Sequence, residues 1–152
     1  IALVDALLGY FGHFLSWVGV SLNAVGLNVD NLRLKDVVGS IFSLLAIVMG
    51  VPVKDSLSVG SLMGTKMVIN EFVAYTDLTP MIAQGILSTK SVVIASFALC
   101  GFANFSSVAI QIGGIGALAP DRKADLARLG LKAMLCGTMA SYISASLAGI
   151  LL

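Results

Sequence analysis

The stretch SVVIASFALCGFANFSSVAIQIGGIGALA, residues 91–119, contains no Asp, Glu, Lys or Arg. As a single ideal helix it would run about 43 Å at about 1.5 Å per residue, well beyond the ~30 Å hydrocarbon core of a bilayer. Something must interrupt it. GFANFSS (101–107) supplies a helix-weakening glycine, then Asn104, Ser106 and Ser107, which compete for backbone hydrogen bonds and cap helices. Residues 89–120 are therefore predicted to form a broken transmembrane helix, two half-helices meeting at mid-membrane. GGIG (113–116) would allow close packing in the second half, and Pro120 would end it.

The rest of the chain suits the same solvent. It is 58% hydrophobic and only 11% charged, with a mean hydropathy of +1.01, which is a membrane composition rather than a soluble one. Nine Lys and Arg against eight Asp and Glu leave no footprint for nucleic acid. The windows 6–29, 37–53 and 133–152 are also free of charge. Residues 1–29 read as a transmembrane helix, 30–36 as a polar loop, and 37–51 as a short spanning segment stopped by Pro52. Residues 133–152 read as the terminal crossing, where Gly137, Ser141, Ala145 and Gly149 recur every fourth residue and invite another helix to approach. DRKADLARLGLK (121–132) carries four basic residues in twelve, which the positive-inside rule assigns to a cytoplasmic loop. A plain solvated loop is the alternative. Apolar character begins at Ile1 without a charged leader, the pattern expected of the interior of a longer protein rather than of a signal peptide.

Residues 52–88 differ from their neighbours. Lys54, Asp55, Lys66, Asn70, Glu71 and Asp77 interrupt them, and neither 53–65 nor 72–87 offers a clean run long enough to span. The reading is a re-entrant helical hairpin with its bend in 64–71, tolerated at membrane depth only inside protein or against a water-filled cavity. Parity then puts the loops at 30–36 and 121–132 in the cytoplasm, with the hairpin base near Lys54 and Lys90 outside.

Glu71 is the outstanding candidate for function, because an acid at membrane depth is costly and marks ion or substrate paths. A structural pairing with Lys66 is the alternative. Asn70 is expected to cap the second hairpin arm. Asn104 and Ser107, three apart, share a face if the second half-helix starts near the break, and an amide with a hydroxyl in a cavity suits a polyhydroxylated solute. Helix-to-helix hydrogen bonding is the alternative. Phe102 gains interest only from its nearness to the break. His13 is the sole histidine, no His, Cys or carboxylate cluster has metal-ligand spacing, and no nucleophile has a base partner. No enzyme and no bound metal are expected, and Cys100 and Cys136 read as small buried residues.

A hairpin followed by a broken helix is how many secondary transporters build half of a binding site, paired with an inverted copy. The fold class expected is thus an all-α polytopic membrane protein, half of an inverted-repeat transporter. At GTKMVINEFVAY (64–75) and ALCGFANFSSVAIQIGGIGALAP (98–120) the sequence resembles the concentrative nucleoside transporters over roughly 36–152. The resemblance implies a nucleoside symporter coupled to sodium or protons, homotrimeric, working by alternating access in the plasma membrane, here a bacterial inner membrane. It implies that Glu71 binds ribose hydroxyls, that Asn104 and Ser107 complete the ribose site, and that Phe102 packs beside the nucleobase. It also assigns 37–51 to a scaffold and the later segments to a mobile domain. The rival from another class is a non-transporting membrane subunit in which Glu71 and Asn104 merely lock helices together.

Overall fold

Residues 2–17 and 34–152 are described in this computed structural model, and among them the chain is helical, with no strand. The helices are α1 (Ala2–Trp17), α2 (Leu34–Val48), α3 (Val53–Val68), α4 (Glu71–Ala83), α5 (Thr89–Leu99), α6 (Phe105–Leu118) and α7 (Lys123–Ile150). α1 accounts for part of the segment expected at 1–29. The remainder of that segment, and 30–33 of the expected loop, lie outside the described residues. The end of that loop belongs to the first turn of α2, whose Leu34 N–H donates to Asp5 Oδ1 of α1 at 2.8 Å.

Hydrogen bonds between helices fix their directions. Near the start of α3, Asp55 meets Ser88 and Ser91 at the start of α5, and near its end Lys66 meets Ala98 and Cys100 at the end of α5. These two helices therefore run parallel. On α4, by contrast, Glu71 meets Asn104 while Tyr75 Oη, one turn on, donates to Ser96 O at 2.8 Å. α4 runs back along α5, so α3 and α4 form a helical hairpin whose bend lies at 69–70, inside the expected interval. The Asp55 to Ser88 contact closes its base.

Small residues decide how closely the helices pack. Gly39 of α2 lies against Gly60 of α3, and a Cβ on Gly60 would come within 2.5 Å of Gly39 O and 2.6 Å of Ser43 N. Only the missing side chain permits that crossing. The fourth-residue stripe of α7 behaves as expected against α5: Ala145 is fully buried, and a Cβ on Gly149 would stand 2.9 Å from Ile94 Cδ1. Ile94, Ala95, Ala98 and Leu99 of α5 join Ala46, Val59, Leu62, Met63, Ala74 and Leu78 in one core.

Three expectations are corrected. The basic stretch 121–132 is no loop, because after a 3-10 turn at Pro120–Arg122 the chain enters α7 and stays helical to Ile150. Its charges are solvated on the helix surface, where Asp125 pairs with Arg122 at 2.7 Å and Arg128 at 3.6 Å. Close packing at GGIG falls to Gly116 alone, beside the Lys123 side chain, while Gly113 and Gly114 face open space. Gly130 of α7, against Val108, is what lets α6 approach. Cys100 and Cys136 are exposed rather than buried, one at the end of α5 and the other on the outward face of α7 beside Leu135 and Met139. By length and composition, Pro120–Ile150 is long and apolar enough to cross a membrane, and it is the single such helix among the described residues.

Candidate functional site

Two interruptions of helix face each other. The first, at 69–70, uses no glycine: Ile69 ends α3 with φ −105° and ψ −87°, and Asn70 opens α4 in extended conformation. The Val73 N–H donates to Asn70 Oδ1 at 2.9 Å, so Asn70 is the expected cap. The second, at 100–104, turns on Gly101, whose φ of +95° lies in the region that side chains avoid. Asn104 then caps α6 by accepting from the Ser107 N–H at 2.8 Å. Asn104 and Ser107 are thus joined through the cap bond, with α6 starting at Phe105 between them.

The two breaks exchange partners. Asn104 Nδ2 donates to Glu71 Oε2 at 2.9 Å, which ties the first residue of α4 to the cap of α6. Lys66, one turn before the first break, does not pair with Glu71. Its ammonium donates to Ala98 O at 2.8 Å and Cys100 O at 3.1 Å, the unsatisfied carbonyls at the end of α5. Ser141 Oγ of α7 donates to the same Cys100 carbonyl at 2.7 Å. Glu71 therefore sits where two Asn-capped helices begin.

Accessibility sorts the four expected site residues. Phe102 is 75% exposed, Glu71 and Ser107 are half-buried, and Asn104 is 1% exposed. Glu71 Oε1 and Ser107 Oγ make no hydrogen bond within the described residues, so both have capacity for a ligand. Asn104 already uses its oxygen on α6 and one N–H on Glu71, leaving a single N–H. A cleft of about 250 Å³ between α6 and α7 is lined by Phe102, Ser107, Gln111, Ala133, Met134 and Gly137, among others. Phe102 and Ser107 line it, whereas Glu71 and Asn104 stand outside it. Gln111 was not foreseen, although its position four residues after Ser107 on a charge-free helix would have placed it on the same face. Among the described residues no group of His, Cys, Asp and Glu is arranged to hold a metal.

The class this geometry defines is an all-helical protein organised around two apposed helix breaks, with a carboxylate at their meeting point. Over residues 1–149 the chain matches the family described as Na+ dependent nucleoside transporter C-terminus. It is 48% identical over 151 residues to the uncharacterized transporter YutK of Bacillus subtilis, covering 99% of this chain and 34% of that protein. It is 42% identical over 125 residues to the nucleoside permease NupC of Helicobacter pylori, covering 80% of this chain and 30% of that one. Among solved structures it is similar to CNTnw in an inward-facing substrate-bound state, with a TM-score of 0.80, 42% identity, and coverage of 97% of this chain and 34% of that one. A substituted CNTnw in an outward-facing state gives 0.78 and 40%. The chain belongs to the concentrative, Na+-dependent nucleoside transporter family and corresponds to its carboxy-terminal part, spanning about a third of the length of these relatives.

Proposed function

We propose that this segment supplies half of the substrate site of a cation-coupled nucleoside symporter. The observation that carries the reading is the half-buried Glu71 carboxylate, held by Asn104 at the junction of two helix N-termini with one oxygen uncommitted. A ribose presents adjacent hydroxyl donors to such an acceptor, and charge-assisted hydrogen bonds of this kind are worth about 1.5–3 kcal/mol each. Ser107 Oγ adds a neutral partner, and the open face of Phe102 offers a surface on which a nucleobase stacks. Asn104, being buried, serves the site chiefly by orienting the carboxylate.

On this reading α3 and α4 enter the membrane and return to the same side, so that the bend at 69–70 and the break at 100–104 meet at depth, protected from lipid by packing. The base of the hairpin, near Lys54 and Lys90, faces outside, and the basic first turns of α7 face the cytoplasm. α2 belongs to a scaffold, and α3 to α7 to the part that moves in alternating access. The whole protein is a homotrimer in the bacterial inner membrane, coupled to sodium or protons, and an inverted counterpart of this unit completes the site. Relatives that are named nucleoside permeases, and neighbours solved in inward- and outward-facing states, support this assignment.

The test is uptake of labelled uridine or adenosine by vesicles containing the full-length transporter under an imposed sodium or proton gradient. Accumulation under either gradient is expected. Absence of accumulation under both, with correctly inserted protein, would contradict it. The helix-locking alternative also has a specific observation in its favour, since the Asn104 to Glu71 bond joins α6 to α4. That reading expects Glu71→Gln to lower stability and to affect all ligands alike.

A further inference from the structure

Lys66 has no part in the ribose contacts, yet it is among the most deeply buried large side chains, at 1% exposure. A cation there costs several kcal/mol unless it is fully used. No carboxylate lies within ion-pair distance of it among the described residues, where Arg122, Arg128 and Asp125 make the only pairs. Its partners are backbone carbonyls, Ala98 O and Cys100 O, at the negative end of the α5 dipole. At the positive end of the same helix, the buried Asp55 accepts from the Ser88 N–H at 3.1 Å, Ser88 Oγ at 2.7 Å and Ser91 Oγ at 2.6 Å. α3 therefore clasps α5 at both ends, with each charge matched to the dipole it meets.

The consequence falls on the break. Cys100 is followed by Gly101 at φ +95°, and three residues separate Cys100 from Asn104. A glycine hinge adjacent to a free carbonyl has several accessible conformations. Lys66 from one side and Ser141 from the other hold that carbonyl, and so fix the direction in which 101–104 leaves α5. This direction brings Asn104 Nδ2 to 2.9 Å from Glu71 Oε2. We propose that Lys66 is a positioning residue of the nucleoside site, a tethered cation in a carbonyl cradle whose role is to hold Asn104 and Glu71 in register. The proposal rests on the ribose-binding reading of Glu71.

Lys66→Met keeps the apolar stem and removes the ammonium. In the full-length transporter it is expected to raise the KM for uridine about tenfold or more, with the maximal rate reduced much less, since tenfold corresponds to one well-made hydrogen bond. The increase should be smaller for a nucleoside lacking the ribose hydroxyl that Glu71 contacts. A lysine that serves stability alone would lower the amount of folded transporter and its melting temperature while the folded fraction kept its KM, and that result overturns the proposal. Should Lys66→Met not insert, Ser141→Ala removes the other donor to the Cys100 carbonyl. It is expected to raise KM about threefold, as loss of a weaker neutral donor would, and an unchanged KM there overturns the proposal as well. Glu71→Gln, measured in parallel, separates the two ideas. If it keeps the wild-type KM, the ribose-site reading falls and takes this inference with it. If it loses affinity while Lys66→Met and Ser141→Ala keep theirs, the positioning role alone falls.

Discussion

The two helix breaks solve one problem by different means. At 69–70 the chain turns without glycine and ends beside strong charges, Lys66 before the bend and Glu71 after it. At 100–104 it turns on a left-handed glycine and carries only neutral groups, Asn104 and the carbonyls of Ala98 and Cys100. Each is incomplete alone. The charged break supplies the cation that satisfies the carbonyls of the neutral one, and the neutral break supplies the amide that holds the carboxylate of the charged one. Within one break, Lys66 and Glu71 would neutralise each other and leave no acceptor for a ligand. Crossing the partners keeps the carboxylate available.

Asn104 and Asn70 sharpen this comparison, because both cap helices while only Asn104 bridges the breaks. Asn104→Ala removes a cap and a hydrogen bond to a charged group, together about 3 kcal/mol. It should show the largest fall in melting temperature of these variants and lose most nucleoside affinity. Gly101→Ala comes next, since a side chain in the left-handed region costs about 1–2 kcal/mol. The added Cβ would also stand 3.3 Å from Ser141 Oγ. Thermal unfolding of the purified transporter should register the cost, whereas Ile69→Ala, where φ is negative, should lose packing without backbone strain. Ser107→Ala should leave the melting temperature unchanged, because its backbone N–H makes the cap bond, and should weaken uptake by up to about tenfold through one neutral hydrogen bond of roughly 0.5–1.5 kcal/mol. Asn70→Ala is expected to affect uptake least, its effect being about 1 kcal/mol of stability from a single lost cap at a half-buried position. Equal losses for Asn70→Ala and Asn104→Ala would remove the distinction between a local cap and a bridge.

Much of this arrangement was legible in the sequence, because caps and glycine hinges are local signals. GFANFSS announced a break, Asn70 a cap, and the stripe Gly137, Ser141, Ala145 and Gly149 a close helix contact. What lay beyond reading was long-range. Lys66 meets its carbonyls across 32 and 34 positions of sequence, and the nearest acid in sequence, Glu71, was the natural but wrong partner to consider. Backbone acceptors carry no side-chain signature, so nothing in the residue string marks Ala98 and Cys100 as its site. The basic stretch misled for a different reason. Charge reports exposure to water rather than loss of helix, and Ala124, Leu126, Ala127 and Leu129 are good helix formers that continue into the apolar part of α7. The cysteines misled in the same way, since in an apolar helix a buried and an outward-facing position look alike.

The central claim is that the crossed partners leave Glu71 as the acceptor for ribose. Its most direct test is nucleoside-induced thermal stabilisation of the full-length transporter, wild type against Glu71→Gln, with uridine and with an analogue lacking the contacted ribose hydroxyl. The account predicts that the variant folds with a near-normal ligand-free melting temperature, loses most of the shift caused by uridine, and responds to the analogue much as wild type does. A well-folded Glu71→Gln protein that uridine stabilises as strongly as wild type would contradict it.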